Sequence, residues 1–223
     1  MPLTPSTMEP ARTEGNRARL DSRLWMIGMA CTLLPVLIAV DATVVDAAPR
    51  TVIERFASMQ AVAWSVTGYT LAMAAVIPLA GWTAGRVGTK PLVLGSVLLF
   101  SWASLLCVQA PNVGLLVAFR AFQGLGGGIL IPLLLIILAR AAGPERLARV
   151  LTMSMLPILL APMCGPILGG WLTDSFGWKS VFLINIPIGV LTLIVAGFVL
   201  PEDVPPRAGR RCEIVTPRGR RAG

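Results

Sequence analysis

LWMIGMACTLLPVLIAVDATVV, residues 24–45, is the stretch that decides the fold class, and it contains a single charged residue, Asp41. A helix needs about 20 predominantly apolar residues to cross a hydrocarbon core of ~30 Å, and this stretch has 22. Similar stretches follow at residues 61–82, 91–110, 113–138, 150–173 and 181–200. The sequence therefore predicts an all-α membrane protein, a bundle of six transmembrane helices that we number spans 1 to 6.

The composition of the chain excludes an ordinary soluble domain. Hydrophobic residues make up 55% of the chain and charged residues 13%, with a mean hydropathy of +0.76, whereas soluble domains carry about 25% charged residues. A polar segment of some twenty residues precedes span 1, and more spans follow it, so span 1 is predicted to be an anchor rather than a cleaved signal peptide.

The Arg and Lys residues predict how the chain is oriented. Of the 19, fifteen fall before span 1, between spans 2 and 3, between spans 4 and 5, or after span 6. Only Arg50, Arg55 and Lys179 fall on the opposite side, and Arg120 lies inside span 4. Positive loops mark the cytoplasmic face. We therefore expect a multi-pass protein of the cell (inner) membrane with both termini cytoplasmic, and we attribute the net charge of +8 to orientation rather than to nucleic-acid binding.

The residue types needed for a metal site or an enzyme are missing or badly placed. The chain has no His, and its four Cys are far apart, three of them in spans. They are predicted to be small apolar fillers rather than a disulfide framework or a metal site. The glycine-rich run 124–128 lies inside a span, which disfavours a nucleotide-binding loop. The sequence thus predicts no metal, no cofactor and no enzymatic activity.

An internal repeat is indicated by the end of span 2, GWTAGRVGTK (residues 81–90), and the end of span 5, GWLTDSFGWK (residues 170–179). Four of the ten positions match. They are Gly81/Gly170, Trp82/Trp171, Gly88/Gly177 and Lys90/Lys179. Three spans separate the two copies, so the copies end on opposite faces, as in the inverted three-helix repeats of secondary transporters. Chance similarity is the alternative, because Gly and Trp are common at membrane interfaces.

Asp41 in span 1 and Arg120 in span 4 are the candidate functional pair. An ionisable group in hydrocarbon costs ~2.5–3.5 kcal/mol on insertion scales, so it normally faces a cavity or a partner. At 1.5 Å per residue, both lie roughly 7–11 Å below the outer surface, where a direct or a water-mediated pair fits. We expect a carboxylate that gains and loses a proton, as a proton-coupled carrier requires. The alternative is a static bridge that locks spans 1 and 4 together.

Small residues and prolines predict close packing and bending in two spans. Span 4 carries Gly124, Gly126, Gly127 and Gly128, which allow close approach of a neighbouring helix; packing alone explains them as well as a functional role does. Span 5 carries Pro162, Gly165, Pro166, Gly169 and Gly170, and for it we favour a flexing role, because proline removes a helical hydrogen bond.

Five motifs in order make the chain resemble the major facilitator superfamily, and within it the fourteen-helix drug:proton antiporters. They are VDATVVDAAP (40–49), GWTAGRVGTK (81–90), RAFQGLGGG (120–128), GPILGGW (165–171) and GWKSVFLINIPIG (177–189). The second motif departs from the family pattern, since Gly85 replaces an Asp and Thr89 an Arg.

The resemblance implies half of a major facilitator fold and roles for several residues. Asp41 and Arg120 would serve proton coupling. Residues of three motifs would serve conformational change: Gly81, Arg86, Gly88, Lys90, Gln123, Gly124, Gly165, Pro166, Gly169 and Gly170. The Asp that Gly85 replaces belongs to a conformational charge lock in the family, so we expect an altered balance of states.

The predicted organisation is a cytoplasmic segment (residues 1–23), a transmembrane domain (24–200) and a basic cytoplasmic tail (201–223). The tail is rich in Pro and Arg and is expected to be disordered. It is either a segment that touches anionic lipid or the out-of-frame end of an interrupted gene, which we favour. A carrier of this class needs two six-helix bundles, so activity would require a second half or a homodimer.

The leading hypothesis is the N-terminal half of a proton-coupled exporter of small, amphipathic, drug-like molecules. Its partners would be the lipid bilayer, protons and the exported molecule. The alternative is a transport-inactive membrane fragment of such an exporter.

Overall fold

The computed structural model describes residues 22–47, residue 53 and residues 59–200, and throughout that part every regular element is a helix. The elements are α1 (Ser22–Ala47), α2 (Met59–Val87), α3 (Thr89–Val108), α4 (Val113–Phe176), α5 (Ser180–Leu183) and α6 (Asn185–Val199). The predicted cytoplasmic tail, and all but the last two residues of the predicted N-terminal segment, lie outside the described residues, as do Arg50 and Arg55.

The ends of α2 and α4 are built in the same way, and this supports the predicted repeat. Gly88 follows α2 with φ 98° and Gly177 follows α4 with φ 78°, a region that favours glycine because it has no β-carbon. The N–H of each glycine donates to the carbonyl four residues earlier, over 3.1 Å to Ala84 and 2.9 Å to Thr173. Gly88 and Gly177 are matched positions of the repeat, so the sequence similarity reflects a shared helix termination.

Contacts along α1 show that α4 reverses direction. Thr32 Oγ1 lies 3.3 Å from Ser154 Oγ, and further along both segments Gly165 packs directly on Thr43. Residues 150–176, which we call arm B, therefore run parallel to α1. Residues 113–142, which we call arm A, run the other way, because Arg120 near the start of arm A binds Asp41 near the end of α1.

The sequence predicted that residues 139–149 are a non-helical connector between spans 4 and 5, and this prediction is wrong. Helical structure is continuous over the 64 residues of α4. A straight helix of that length would measure about 96 Å, far more than the ~30 Å hydrocarbon core. Such a helix could not place both Arg120 and Gly165 beside the C-terminal part of α1, where both lie. The chain therefore folds back between arm A and arm B, and these two arms correspond to the two predicted passes.

Two other predicted boundaries also differ from the structure. The helix of span 2 does not end at Trp82 but continues to Val87, so Arg86 lies in its last turn and the connector to α3 is reduced to Gly88. Span 6 is divided into α5 and α6 at Ile184. Pro187 explains that division, because it has no N–H to donate to the carbonyl four residues earlier.

Within the described residues, five helical segments are long and apolar enough to cross a membrane. They are Trp25–Val45, Val62–Val87, Thr89–Val108, Val113–Ala142 and Ser180–Val199. Arm B runs alongside α1 and so makes the sixth pass through the same layer. Side-chain contacts fix the remaining directions: α2 runs parallel to arm A, and α3 antiparallel to arm A and to α6. The structure is thus a six-pass bundle with alternating directions.

Candidate functional site

The core of the bundle holds a cluster of five buried polar side chains, which we call the Asp41 cluster. Its members come from four helices: Asp41 (α1), Ser104 (α3), Arg120 and Gln123 (arm A) and Asn185 (α6). Arg120 is 1% exposed and the other four are 0% exposed. Polar groups buried this deeply are unfavourable unless they bind one another, so their hydrogen bonds decide what the cluster can do.

Asp41 and Arg120 form a direct ion pair. Arg120 Nη1 lies 2.7 Å from Asp41 Oδ2, which settles the choice between a direct and a water-mediated contact. The same nitrogen donates to Gln123 Oε1 over 2.7 Å. Residues 120 and 123 share a helix face because three residues complete most of a turn. The guanidinium is therefore held by a carboxylate from α1 and an amide from its own helix.

The second carboxylate oxygen of Asp41 accepts two side-chain amides. Gln123 Nε2 donates to Oδ1 over 2.9 Å, and Asn185 Nδ2 donates to the same oxygen over 2.5 Å. Gln123 Nε2 also donates to Ser104 Oγ over 2.6 Å. Three donors from arm A and α6 thus surround the carboxylate, an arrangement that suits an ionised acid, because an ionised carboxylate only accepts hydrogen bonds.

Aromatic rings cover the guanidinium of Arg120. Its Cζ lies 4.3 Å from the ring centroid of Tyr69 on α2 and 5.8 Å from that of Phe182 on α5. Both rings are buried, and a desolvated cation over an aromatic face is stabilised by ~2 kcal/mol or more. In this conformation the pair is closed off on all sides, and Asp41 has no exposed surface.

Glycines let arm A approach its neighbours closely enough to build the cluster. A β-carbon at Gly126 would lie 2.9 Å from the Ser96 carbonyl oxygen, and one at Gly128 would lie 2.5 Å from the Met73 carbonyl oxygen. A β-carbon at Gly124 would collide with the backbone of Tyr69. These positions cannot carry a larger residue without moving α2 or α3, so the run 124–128 is a packing device that brings Gln123 and Arg120 inside.

The predicted conformational motif at the end of α2 lies apart from the Asp41 cluster. Gly81 and Gly85 face open space, and Gly88 makes the turn into α3 that carries Lys90. Arg86 is exposed and stacks on Trp82, with Cζ 4.1 Å from the ring centroid. Where the family pattern places an Asp beside this arginine, the described structure has Gly85, and an indole provides the contact for the guanidinium.

The glycine–proline motif of arm B lies against the C-terminal part of α1. Gly165 meets Thr43 so closely that a β-carbon there would collide with its side chain. Gly169 is buried, Pro166 is exposed, and Gly170 has open space around its α-carbon. Thr43 is two residues from Asp41, so this motif packs next to the cluster without joining it.

Ser104, Asn185, Tyr69 and Phe182 were not predicted as site residues from the sequence. For Asn185 a signal existed, because an amide within the apolar run 181–200 must find a partner in a membrane. Ser104 and Tyr69 gave no comparable signal, since hydroxyl groups often bond to the backbone of their own helix. Which side chains reach Asp41 depends on how α2, α3 and α6 pack.

Comparison with known proteins identifies the family. The model of the Major Facilitator Superfamily matches residues 24–217. The chain belongs to the major facilitator superfamily. The match runs through the whole bundle that holds the Asp41 cluster and confirms the resemblance carried by the five motifs.

Relatives and solved structures of this superfamily agree with the fold. Multidrug resistance protein B homolog of Mycobacterium tuberculosis is 49% identical over 206 residues, 92% of this chain and 38% of that protein. Multidrug export protein EmrB of Escherichia coli is 34% identical over 175 residues, 78% of this chain and 34% of that protein. The proton:xylose symporter XylE bound to 6-bromo-6-deoxy-D-glucose has a TM-score of 0.73 at 16% identity, covering 81% of this chain and 45% of that one. The chain thus spans little more than a third of these curated relatives, and the solved structure supports the fold alone.

Proposed function

We propose that this chain acts as the N-terminal six-helix bundle of a proton-coupled exporter of small, amphipathic, drug-like molecules. Membership of a transporter superfamily and similarity to proteins named for multidrug resistance and export support transport rather than an enzymatic reaction. The observation that carries the proposal is the Asp41 cluster. Its carboxylate is wholly buried, Oδ2 accepts from Arg120, and Oδ1 accepts from the side-chain amides of Gln123 and Asn185.

The chemistry expected of the cluster is reversible proton binding at Asp41. An ionised Asp41 neutralises Arg120 in the core, whereas a protonated Asp41 leaves the positive charge unbalanced, so the two protonation states favour different packing of α1 against arm A. Transport follows if one state opens the bundle to each side of the membrane. The residues assigned to conformational change act at the edges of this motion: Arg86 and Gly88 where α2 turns into α3, and Gly165 where arm B meets α1.

The same proposal covers location and partners. We place the bundle in the cell (inner) membrane with both termini in the cytoplasm, because the basic residues gather on one side. Its lipid-facing and partner-facing surfaces include α2 and arm B, on which large apolar side chains such as Leu71 (69% exposed) and Ile167 (74% exposed) point outward. A second six-helix half or a second copy of the chain would complete the transport path between two bundles.

Exchange of protons for a lipophilic cation in proteoliposomes tests the proposal. The purified chain is reconstituted at a high protein-to-lipid ratio, a pH gradient is imposed, and a trapped pH dye reports proton release when tetraphenylphosphonium is added. We expect a response in the wild type that Asp41→Asn abolishes. Asp174→Asn is the matched control, because it removes an exposed carboxylate at the end of arm B and should leave the response unchanged.

Two outcomes contradict the proposal. A silent wild type refutes transport by this chain and favours the alternative of a transport-inactive fragment. A response that persists in Asp41→Asn refutes the role of that carboxylate. Fusion of a periplasmic and a cytoplasmic reporter enzyme to the C-terminus separately tests the orientation, with activity expected only from the cytoplasmic reporter.

A further inference from the structure

Two members of the Asp41 cluster have a buried polar atom without a partner among the described residues: Arg120 Nε, which can only donate, and Asn185 Oδ1, which can only accept. Asn185 Nδ2 donates to Asp41 Oδ1 over 2.5 Å and lies 3.4 Å from Ser104 Oγ. Its carbonyl oxygen Oδ1 is buried and accepts no hydrogen bond from any described residue. A buried acceptor without a donor is unfavourable by ~1–3 kcal/mol, so this amide is held in an orientation that satisfies Asp41 at the expense of its own carbonyl.

The other two donors to Asp41 cannot change their role. A guanidinium has donors and no acceptor, so Arg120 can only donate. Gln123 uses both ends of its amide, because Oε1 accepts from Arg120 while Nε2 donates to Asp41 and Ser104. Rotating the Gln123 amide would break all three bonds. Asn185 can rotate its amide and lose nothing except the donation to Asp41 and the long contact with Ser104.

Protonation of Asp41 would make that rotation favourable. A protonated Oδ1 carries a hydrogen that needs an acceptor, and Asn185 Oδ1 would take the place that Nδ2 now occupies. The rotated carbonyl would also face Ser104 Oγ, whose oxygen accepts from Gln123 and whose hydrogen is free to be donated there. The bonds from Arg120 to Oδ2 and from Gln123 to Oδ1 would remain. One bond would reverse its direction, the Asn185 carbonyl oxygen would gain the donor that it lacks now, and Asn185 Nδ2 would give up its acceptors.

We propose that Asn185 is a positioning residue for proton coupling, donating to Asp41 when the acid is ionised and accepting from it when the acid is protonated. This inference rests on the proposed function, since it concerns the same carboxylate. It also gives α6 a role, because the hydrogen bond between Asn185 on α6 and Asp41 on α1 would reverse its direction when Asp41 is protonated. Asn185 is the first residue of α6, next to the division at Ile184 between α5 and α6.

The charged and titratable groups around Asp41 come from three neighbouring helices. Arg120 lies on arm A, Tyr69 on α2 and Cys107 on α3. Each keeps its charge state unchanged while Asp41 binds a proton in the proposed switch, so none of them replaces Asn185 as the acceptor of that proton.

Infrared spectroscopy of the reconstituted chain tests the inference on the native residue. The sequence has three asparagines, Asn16, Asn112 and Asn185. We replace the other two with Asn16→Gln and Asn112→Asp, and the aspartate retains the cap of α4. Asparagine labelled with ¹³C at the side-chain carbonyl then enters the chain only at position 185. We expect the labelled band to shift to lower wavenumber as the Asp41 carboxyl band appears on acidification, and to stay fixed in Asp41→Asn.

Two variants extend the test to the proton itself. Asn185→Leu removes donor and acceptor together, and the lost charge-assisted bond is the stronger of the two. The pH dependence of the Asp41 carboxyl band should therefore differ from that of the wild type. Thr192→Val is the control, because it removes a buried hydroxyl from the same helix that bonds only to the carbonyl of Ile188 among the described residues, and its titration should match the wild type.

The outcomes separate this inference from the proposed function. If Asp41 titrates but the labelled Asn185 band does not move, or if Asn185→Leu titrates as the wild type does, the inference is refuted and proton coupling by Asp41 stands. If Asp41 shows no carboxyl band at any pH at which the chain stays folded, proton coupling fails, and the role of Asn185 fails with it.

Discussion

Removing the guanidinium of Arg120 should destabilise the bundle more than removing any exposed cation. Arg120→Leu leaves a shorter, apolar side chain and breaks the bonds to Asp41 and Gln123, both 2.7 Å long. It leaves a carboxylate with 0% exposure and no counter-charge. Breaking a buried ion pair in this way costs about 3–5 kcal/mol.

The double variant gives the stronger test of the reasoning. Asp41→Asn alone should cost a similar amount, because it leaves Arg120 charged and buried. Asp41→Asn combined with Arg120→Leu removes both charges, so neither position carries a buried charge without a counter-charge. Its cost should therefore fall short of the sum of the single costs by at least about 2 kcal/mol, since contacting residues are not additive. Arg86→Leu is the matched control, because it removes an exposed arginine stacked on Trp82 and should cost about 0.5–1 kcal/mol.

The free energy of unfolding is measured by titrating the purified chain in mixed micelles with a denaturing detergent and following tryptophan fluorescence. The reasoning is refuted if Arg120→Leu costs no more than Arg86→Leu, which would mean that the buried pair contributes nothing. It is also refuted if the double variant costs the sum of the two single variants, which would mean that Asp41 and Arg120 do not depend on each other.

Two further predictions follow from packing. Gly128→Ala should lower the free energy of unfolding by about 1–3 kcal/mol through overpacking, because its β-carbon would lie 2.5 Å from a backbone carbonyl of α2. Gly95 has open space around it, so Gly95→Ala should instead raise the free energy of unfolding by up to about 1 kcal/mol through helix propensity. If thermal unfolding showed equal effects for the two variants, the close contact of Gly128 with α2 would be contradicted. Cys164 is exposed whereas Cys31 and Cys107 are buried, so a maleimide should label only Cys164 in micelles once the cysteine of the tail is replaced; labelling of either buried cysteine would show that the bundle opens there.

Sequence and structure contributed differently to the repeat. Two ten-residue stretches with four matches favoured inverted halves, with chance similarity as the alternative. The positive φ angles at Gly88 and Gly177, each with the same N–H to carbonyl bond, show why those positions match. The helix boundaries were less predictable, because the rise in charge near Arg140 and Arg146 marks where the chain leaves the apolar layer and does not by itself end a helix.

Sequence and structure also contributed different residues to the candidate site. Asp41 and Arg120 stood out because a charge within an apolar run must have a partner, and their depths matched. Gln123 entered through its motif. Asn185, Ser104 and Tyr69 are distant from Asp41 in the chain, and only the crossing of α2, α3 and α6 brings them to it.

By itself, the sequence determined that the chain crosses a membrane repeatedly and which two charges within its apolar runs need a partner. Those properties follow from the free energy of transferring each residue into hydrocarbon, a quantity that depends on the local run of residues. The tertiary structure decided that α4 doubles back as two passes and that four side chains from three other helices gather around the carboxylate of Asp41. These properties depend on contacts between residues as much as 144 positions apart, which local patterns do not encode.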